Sequence, residues 1–423
     1  MKRILVINTG SSSVKFKLFA MPEETRLAAG IVENIGDTGK PAEGRYIDRN
    51  GAPYESTIVC RDHKEALSHL FEWLGDTQKG GMAPLSGIDA VGHRVVHGGE
   101  RFFRPMTVTS GFMEALEKIL GLAPLHLPLN LIGIRACMEA LPETPQVACF
   151  DTAFFRHMPL SSALYPVPLE WYEKHGVRRY GFHGISYEYL AAETARMLGK
   201  PLDELKIIAA HLGNGCSITA IEKGVVRDTS MGFTPLEGLM MGTRSGTIDP
   251  AVFPYMMART GSTADALLDV LNTKSGLGGI SGIGRDMREI VSAMENGHER
   301  AGLAFDMFIH MLKKYVGAYC FCMGGADAVV LSGGIGENAP EVREALFKGL
   351  FFAGLRLDAD KNLSVTGGRA GMIHADDARV KILVIPANEE LMIARSVFAH
   401  IGGALSQPLG FSANQERLVH GSS

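Results

Sequence analysis

The sequence predicts an α/β fold built on two sheets, mixed or parallel. Four short apolar runs, most of them rich in β-branched residues, have the length of buried strands; they are 4–7, 207–210, 328–331 and 381–385. Helical patterns lie between these runs. One begins near Ser186, a residue type that caps helices, and ends at Gly199, where glycine permits a left-handed stop. Strands that alternate with helices of this length indicate an α/β architecture.

An internal repeat in the sequence supports the prediction of two sheets. Residues 4–19 (ILVINTGSSSVKFKLF) and 207–222 (IIAAHLGNGCSITAIE) share one plan: a buried strand, a turn of small polar residues and a second strand. The bare backbone N–H groups of such turns can face an anion. Two ordinary hairpins would show the same pattern, because turns of this composition are common.

Length and charge limit the possible functions. A chain of 423 residues is longer than one ordinary domain, so two are expected. The net charge of -4, without a long run of Lys and Arg, argues against nucleic acid or an anionic membrane as partner. The N-terminus is too weakly apolar for a signal peptide or a membrane span, so we expect a cytoplasmic protein. Six cysteines are too few and too scattered for a disulfide framework, and Cys320 and Cys322, spaced as C-x-C without a second ligand pair, are expected to be core thiols.

Glycine is in excess, with 50 in 423 residues against a usual share of about 7%. Three glycine-bearing stretches are candidates for phosphate binding: 8–13, 276–284 and 334–339. The last fits the G-x-G-x-x-A pattern of dinucleotide folds, but it lies far from the start of a domain and lacks the acidic residue expected about twenty positions on. Neither of the last two continues into a Walker P-loop. Phosphate-binding turns from two halves of a chain are typical of actin-like phosphotransferases.

The motifs together resemble those of one family, the acetate kinases. NTGSSS at 8–13, with Lys15 behind it, is similar to the family's first signature, and GFHGIS at 181–186 is similar to its second. The similarity continues in family order through HRVVHGG (93–99), LAPLHLPLN (122–130), FDTAFF (150–155), HLGNGCS (211–217), DTSMGFTPLEGLMMGTRSGTIDP (228–250), GGIGEN (333–338) and ANEEL (387–391). Two departures are small: Met287 stands where the family often has an aromatic residue or leucine, and the C-terminal tail is longer than the family requires.

The resemblance implies both a fold and a reaction. The fold is α/β, with two duplicated actin-like (ribonuclease H-like) domains, mixed sheets flanked by helices and an active-site cleft between the domains. The expected boundaries are 1–150 plus about 387–401 for the N-terminal domain, 151–386 for the C-terminal domain and 402–423 for a mobile tail. The reaction is reversible phosphoryl transfer between ATP and acetate, with Mg²⁺ or alternatively Mn²⁺, usually in a homodimer.

Five residues match the family's catalytic positions: Arg94, His126, Asp151, His183 and Arg244. Joining a γ-phosphoryl group to a carboxylate brings two anions together, so catalysis depends on positioning and charge neutralisation. We assign Arg94 mainly to the carboxylate and Arg244 to the transferring group, since guanidinium groups suit both. His183 is expected to donate a hydrogen bond to phosphoryl oxygen, with His126 as a second donor. A histidine near aromatic residues is otherwise more often part of a core.

Asp151 matches the family's proposed acid/base residue. A carboxylic acid substrate with a pKa of about 4 to 5 is already ionised at pH 7, so it needs no base. We therefore expect Asp151 to orient Arg94 or a magnesium-bound water more than to move a proton. The alternative is a capping role in the turn after the strand at 147–150.

The same resemblance assigns the ligands. Asn8 and Glu389 match the metal positions, which is compatible with Mg²⁺ because that ion takes few protein oxygens; both residues could otherwise be caps. Alongside Arg94, the acetate pocket is expected to contain Val96, Leu125, Phe182 and Pro235. The ATP-binding segments contain Lys15, His211, Leu212, Gly213, Asn214, Gly215, Asp286, Met287, Arg288, Gly334, Ile335, Gly336, Glu337 and Asn338.

Three other functions can be weighed against the residues of the sequence. A nicotinamide-dependent oxidoreductase rests only on the pattern at 334–339. A non-catalytic actin-like nucleotide switch would share the hairpins but would have no use for Arg94, His183 and Arg244. A propionate kinase with the same mechanism is the realistic alternative, because one buried methylene is worth only about 0.8 kcal/mol. Val96 narrows the pocket compared with alanine and favours acetate.

Overall fold

The structure is a computed structural model, and it describes residues 1–10, 12–37, 40–77, 85–124 and 126–404. Across these ranges the chain forms two compact units. One consists of Met1–Phe154 with the segment from Asn388 onward, and the other of Phe155–Ala387. The expected tail lies outside the described residues from position 405. None of the helices in the described ranges is long and apolar enough to cross a membrane.

The first unit is built on a sheet of strand order β5-β4-β3-β2-β1-β6-β8-β7. β1 to β5 form an antiparallel series, while β6 runs parallel to β1 and β8 runs parallel to β6. The strands are β1 (Lys2–Thr9), β2 (Val14–Met21), β3 (Thr25–Glu33), β4 (Ala42–Ile47), β5 (Pro53–Ile58), β6 (Ala90–Val95), β7 (Met106–Thr107) and β8 (Gln146–Phe150).

Three α-helices in the described part of the first unit precede the second unit in the chain: α1 (His63–Gly75), α2 (Ser110–Glu117) and α3 (Leu127–Ala140). Asp62 caps α1, because its side chain accepts a hydrogen bond from the backbone of Glu65 at 2.9 Å. Trp73 of α1 stacks on Tyr46 of β4 with ring centroids 4.7 Å apart. The apolar face of α1 thereby closes the core on one side of the sheet.

The second unit has the strand order β11-β10-β9-β12-β14-β13. The strands are β9 (Lys206–Leu212), β10 (Cys216–Glu222), β11 (Val225–Thr229), β12 (Ala328–Ser332), β13 (Gly371–Met372) and β14 (Lys381–Val384). Its helices are α4 (Leu160–Ala163), α5 (Glu170–His175), α6 (Gly184–Leu198), α7 (Val252–Thr260), α8 (Ala264–Thr273), α9 (Gly276–Ser281), α10 (Met287–Glu295), α11 (Glu299–Cys322), α12 (Gly333–Asn338), α13 (Pro340–Phe347) and α14 (Ala359–Ser364). Phe308 and Leu312 of α11 share one buried core with Ile218 of β10.

The last helix, α15 (Glu389–His400), belongs to the first unit. It lies so close to β6 that a side chain at Gly92 would come within 2.7 Å of Ile393. Arg395 also donates two hydrogen bonds to the carboxylate of Glu24, at 2.7 and 2.8 Å. These contacts fix the helix against the sheet and so fix the position of its first turn.

The two sheets share one core plan. The series β3-β2-β1-β6-β8 and β11-β10-β9-β12-β14 each contain three antiparallel strands followed by two strands parallel to the innermost of the three. The hairpins β1–β2 and β9–β10 are the two segments whose repeat is visible in the sequence. The predicted α/β fold with duplicated actin-like domains is confirmed. The expectation that Cys320 and Cys322 are core thiols is wrong, because Cys320 is partly exposed and Cys322 is exposed.

The glycine-rich stretch at 276–284, a candidate for phosphate binding, begins as a helix and not as a turn. Its first residues form the short helix α9, and Gly276 has a φ of +63°. A side chain at Gly276 would meet the backbone oxygens of Met241 and Arg244 at 2.2 and 2.7 Å. Glycine is needed here for packing against the loop that carries Arg244.

Candidate active site

Arg94 and Asp151 form a tightly bonded pair in the first unit. Arg94 lies near the end of β6 and Asp151 directly after β8, and these parallel neighbours end at the same edge of the sheet. Arg94 Nε lies 3.1 and 3.2 Å from the two carboxylate oxygens of Asp151, and Nη2 lies 2.7 Å from Oδ2. Asp151 is only 1% exposed. The aspartate therefore orients the guanidinium group, which is the contact expected from the sequence.

Glu389 is the second carboxylate on Arg94. Its Oε2 lies 3.0 Å from Arg94 Nη1, and it comes from the first turn of α15. Burial opposes the charge of Arg94, but Asp151 and Glu389 outweigh this effect and raise the pKa of the guanidinium group. Arg94 therefore remains a cation even though it is largely buried.

Lys17 holds the neighbouring residues of the same helix. Its Nζ lies 2.9 Å from the carboxylate of Glu390 and 3.2 Å from the side-chain oxygen of Asn388, which caps α15. Although burial alone would raise it, the pKa of Glu390 is lowered by Lys17. Asn8 and Lys15 lie opposite each other across the β1–β2 hairpin.

Asn8 and Glu389 supply the amide and carboxylate oxygens that Mg²⁺ accepts as ligands. No group of three or more His, Cys, Asp or Glu side chains in the described ranges could hold a metal ion. This donor set fits Mg²⁺, which takes most of its ligands from water and phosphate, better than an ion that needs a full protein cage.

Asn130 connects the ends of two strands beside Arg94. Its side chain accepts a hydrogen bond from the backbone of Val96 at 3.0 Å and donates one to the carbonyl of Thr9 at 3.3 Å. Sequence reasoning missed this residue, since only the folded chain brings β1, β6 and α3 together. His126 is half-buried and immediately precedes α3, while Leu125 lies outside the described residues.

His183 occupies a strained position at the start of α6 in the second unit. It has a φ of +60°, which is uncommon for a residue other than glycine. Before it, Gly181 has a φ of +74°, and a side chain there would meet the ring of Phe155 at 2.5 Å. His183 therefore takes the cap position predicted for Ser186, so that prediction is wrong. The Ser186 hydroxyl instead lies 2.8 Å from His211 Nδ1.

Two imidazole rings and a guanidinium group border the turn between β9 and β10. A side chain at Gly213 would lie 3.6 Å from His211 Nε2. A side chain at Gly215 would lie 3.5 Å from His183 Nε2 and 3.6 Å from Arg244 Nη1. The two glycines therefore leave bare backbone beside three groups able to donate hydrogen bonds to an anion.

Arg244 carries a positive charge that no carboxylate among the described residues pairs with. It is half-buried, and the hydrogen bond from its Nη1 to the carbonyl of Pro235 is long at 3.4 Å. Arg244 forms no ion pair with any of the described residues, and burial lowers its pKa. A half-buried cation without an ion pair in the described part of the chain is typical of an anion-binding site. Phe182, in contrast, is 2% exposed within the core of the second unit.

A cavity of about 580 Å³ in the second unit brings three predicted ATP-binding segments together. Its lining residues are Gly213, Asn214, Arg285, Asp286, Met287, Arg288, Gly334, Ile335, Asn338 and Ala339. His211 and Leu212 belong to β9, Gly215 follows in the turn, and Lys15 lies in the other unit.

Other predicted ATP-binding residues have structural partners. Glu337 accepts backbone hydrogen bonds from Gly333 at 2.8 Å and from Ala387 at 3.0 Å, which stabilises the start of α12. A side chain at Gly336 would lie 3.3 Å from the backbone of Leu331. These contacts support the segment that lines the cavity.

The Asp-x-Arg motif begins α10. Asp286 accepts a hydrogen bond from the backbone of Arg288 at 2.9 Å and also bonds its guanidinium group. Hydrogen bonding to Arg288 lowers the pKa of Asp286. Met287 is 3% exposed and packs inward, which leaves the two charged side chains at the cavity.

Comparisons with known proteins agree with this geometry. The model of the acetokinase family matches residues 3–395. The chain is 49% identical to the acetate kinase of Bacillus subtilis over 94% of its length and 99% of the relative's. It is 48% identical to the acetate kinase of Caldanaerobacter subterraneus, over 93% of this chain and 97% of that one.

Solved structures give the same result. The crystal structure of acetate kinase from Porphyromonas gingivalis superposes with a TM-score of 0.88 at 42% identity, covering 95% of this chain and all of that one. A propionate kinase from Francisella tularensis superposes with a TM-score of 0.86 at 39% identity, covering 94% of this chain and 99% of that one. With a family match across nearly the whole described chain, and with Arg94, His183 and Arg244 in their motifs, the chain belongs to the acetokinase family.

Proposed function

We propose that this chain catalyses reversible phosphoryl transfer from ATP to acetate, giving acetyl phosphate and ADP. The observation that carries the proposal is Arg244, a half-buried guanidinium group without an ion pair among the described residues, beside His183 and the Gly213–Gly215 turn. Such a cation suits a phosphoryl group whose charge is spread over its equatorial oxygens. Membership of the acetokinase family supports the choice of acceptor.

In the first unit, Arg94 binds the acceptor carboxylate. Asp151 contacts the Nε and Nη2 atoms of Arg94 and fixes the plane of the guanidinium group. Acetate is ionised at neutral pH, so its oxygen is already a nucleophile and Asp151 is not required to take a proton. Asp151 therefore acts by positioning Arg94.

In the second unit, the transferred group is stabilised by Arg244 and His183. Both side chains border the bare backbone of Gly215, where a phosphoryl oxygen can approach closely. In-line transfer of the γ-phosphoryl group from ATP to the acetate oxygen, with ADP as the leaving group, develops charge on the moving group, and these donors stabilise that charge. The cavity lined by Asn214, Asp286 and Arg288 accommodates the nucleotide.

Asn8 and Glu389 would hold Mg²⁺, or Mn²⁺, which shares the same oxygen ligands. When bound, the ion would neutralise charge on the phosphate groups. Lys17 maintains this half of the site by bonding Glu390 and Asn388, so that α15 presents Glu389 at a fixed position.

Propionate is a second candidate acceptor. The structural similarity to a propionate kinase favours it, because that protein is 39% identical to this chain. Val96 occupies a position in the expected methyl pocket, and apolar contacts with one extra methylene change the preference by less than about tenfold. We propose acetate as the better substrate, with measurable turnover of propionate.

The function is tested by coupling ADP formation to pyruvate kinase and lactate dehydrogenase. With Mg-ATP, ADP should appear only after acetate is added, and the Arg244→Gln variant should be nearly inactive. ADP release that is independent of acetate would contradict the proposal and would favour a simple ATPase or a nucleotide switch.

We also propose that the chain forms a homodimer through α7 and α8. Both helices are rich in apolar residues, yet no residue of either is buried within the second unit. Tyr255 and Leu268 are 54% and 43% exposed. Light scattering should give twice the chain mass, and Leu268→Glu should give a monomer. A monomeric wild-type chain would overturn this proposal.

The cytoplasmic location expected from the sequence stays a prediction.

A further inference from the structure

A chain of two hydroxyl groups occupies the Nδ1 side of His183. Ser217, in β10, places its Oγ 2.8 Å from His183 Nδ1. The hydroxyl of Tyr187, in α6, lies 2.5 Å from the same Oγ. Ser217 and Tyr187 are both 0% exposed, so these hydrogen bonds form away from water, where they are stronger.

The partner of Nδ1 influences which ring nitrogen carries a proton. A carboxylate only accepts hydrogen bonds and would require a proton on Nδ1, whereas a hydroxyl can rotate and donate to a bare nitrogen. Burial raises the pKa of Tyr187, so its phenol keeps its proton and can donate to Ser217. The Ser217 proton then remains available for His183 Nδ1.

The Nε2 side of the same ring lies beside the phosphate-binding turn. A side chain at Gly215 would lie 3.5 Å from His183 Nε2 and 3.6 Å from Arg244 Nη1. Ionised phosphoryl oxygens only accept hydrogen bonds, so His183 can bond them through Nε2 only if that nitrogen carries a proton. The opposite direction of the hydroxyl chain would leave Nε2 as an acceptor.

We propose that Tyr187 and Ser217 are positioning residues that hold His183 as the Nε2–H tautomer, ready to donate to the transferring phosphoryl group. The identity of that acceptor rests on the proposed function, whereas the tautomer itself does not. His211 provides a matched comparison, because the Ser186 hydroxyl lies 2.8 Å from its Nδ1 and the two imidazole centroids are 4.5 Å apart.

The tautomer is measured directly by long-range ¹H–¹⁵N NMR on the full chain labelled at histidine. The His183 signals are assigned from their absence in His183→Gln. We expect Nε2 protonated and Nδ1 bare in the wild type at neutral pH, and a mixture of tautomers in Ser217→Ala. Ser217→Thr, which keeps a hydroxyl, should preserve the wild-type pattern. Nδ1–H or imidazolium in the wild type, or an unchanged pattern in Ser217→Ala, would overturn the proposal.

Kinetics of single and double variants test whether Tyr187 acts through Ser217 or independently of it. Ser217→Ala should lower kcat by about tenfold, the value of one hydrogen bond, with little change in either KM. Tyr187→Phe should lower kcat less, and should have no further effect when added to Ser217→Ala. Losses that multiply in the double variant would contradict a chain that acts through Ser217.

Two controls complete the experiment. Ser186→Ala should change the NMR pattern of His211 and leave that of His183 intact, and a change at both rings would contradict a specific effect of Ser217. Thermal unfolding reports whether each variant folds. If Ser217→Ala does not fold, the wild-type spectrum still decides which tautomer His183 adopts. If the wild type forms no acyl phosphate, the proposed function fails while the tautomer result still stands.

Discussion

Arg94 and Asp151 are joined by two guanidinium nitrogens and both carboxylate oxygens, with the shortest contact 2.7 Å from Arg94 Nη2 to Asp151 Oδ2. The aspartate is almost completely buried, so water hardly reaches its carboxylate. A carboxylate held in this way fixes the direction of the arginine and is poorly placed to accept a proton from substrate.

Asp151→Asn should therefore lower the activity without displacing its pH profile. The amide keeps the shape of the side chain but removes the charge that orients Arg94. We expect kcat/KM for acetate to fall by about a hundredfold, the value of a charge-assisted hydrogen bond of ~3 kcal/mol. Steady-state rates across the pH range would reveal a proton-transfer role if the residual activity had a displaced pH profile.

Arg244→Gln should separate catalysis from stability. Loss of the guanidinium group should lower kcat by roughly a thousandfold, the lower range for arginines that stabilise phosphoryl transfer. The melting temperature should stay the same or rise, because the buried charge has no ion pair within the described part of the chain.

Arg94→Gln is the matched comparison for that variant. It leaves Asp151 buried without its cation and should destabilise the first unit by about 3–5 kcal/mol. Equal losses of stability in the Arg94 and Arg244 variants, measured by urea unfolding, would contradict the different electrostatic environments described for the two residues.

Two glycine substitutions should affect different properties, namely ATP binding in Gly215→Ala and stability in Gly181→Ala. In Gly215→Ala the new methyl group lies at ordinary contact distance, 3.5 Å from His183, so the fold should be retained while KM for ATP rises. In Gly181→Ala the methyl group would meet the Phe155 ring at 2.5 Å with φ at +74°, so stability should fall by at least about 1–3 kcal/mol. An unfolded Gly215→Ala protein, or a Gly181→Ala protein of normal stability, would show that these two environments are misassigned.

The first unit should lose stability at mildly acid pH. Burial lowers the pKa of His93 to about 4, even though its hydrogen bond to Gln146 opposes the shift. The unfolded chain binds a proton near pH 6.5, so stability is complete above that value and falls as the pH drops toward 4. His93 alone accounts for a loss of about 2 kcal/mol at pH 5.

Trp73 fluorescence in a Trp171→Phe background measures this loss in the first unit, since these are the two tryptophans of the chain. His93→Gln, which can still donate to Gln146, should reduce the dependence on pH. A variant that loses as much stability as the wild type between pH 7 and pH 5 would assign the effect to other groups.

The fold was predictable where the sequence pattern is local. The buried runs at 4–7 and 207–210 became β1 and β9, and the similarity of their hairpins predicted the duplication. Gly199 ends α6 in the left-handed conformation, as its position indicated. Ser186 was misassigned because the residue that takes the cap position, His183, adopts a positive φ that its residue type does not predict.

The supporting residues of the site were less predictable, because tertiary pairing creates them. Ser217 meets His183 only when β10 packs beside the start of α6, and Asn130 reaches Val96 and Thr9 only when α3 lies on the sheet. The charged residues Arg94 and Arg244 were found from motifs. Their different environments, one bonded to two carboxylates and one unpaired within the described residues, follow from the fold alone.

Hydroxylamine trapping of the product tests the central claim most directly. The chain is incubated with Mg-ATP and acetate, propionate or butyrate, and any acyl phosphate is converted to its coloured hydroxamate. We predict hydroxamate from acetate with the highest kcat/KM, less from propionate and very little from butyrate. No hydroxamate from any of the three acids would contradict phosphoryl transfer to a carboxylate, and a higher kcat/KM for propionate would overturn the choice of acetate.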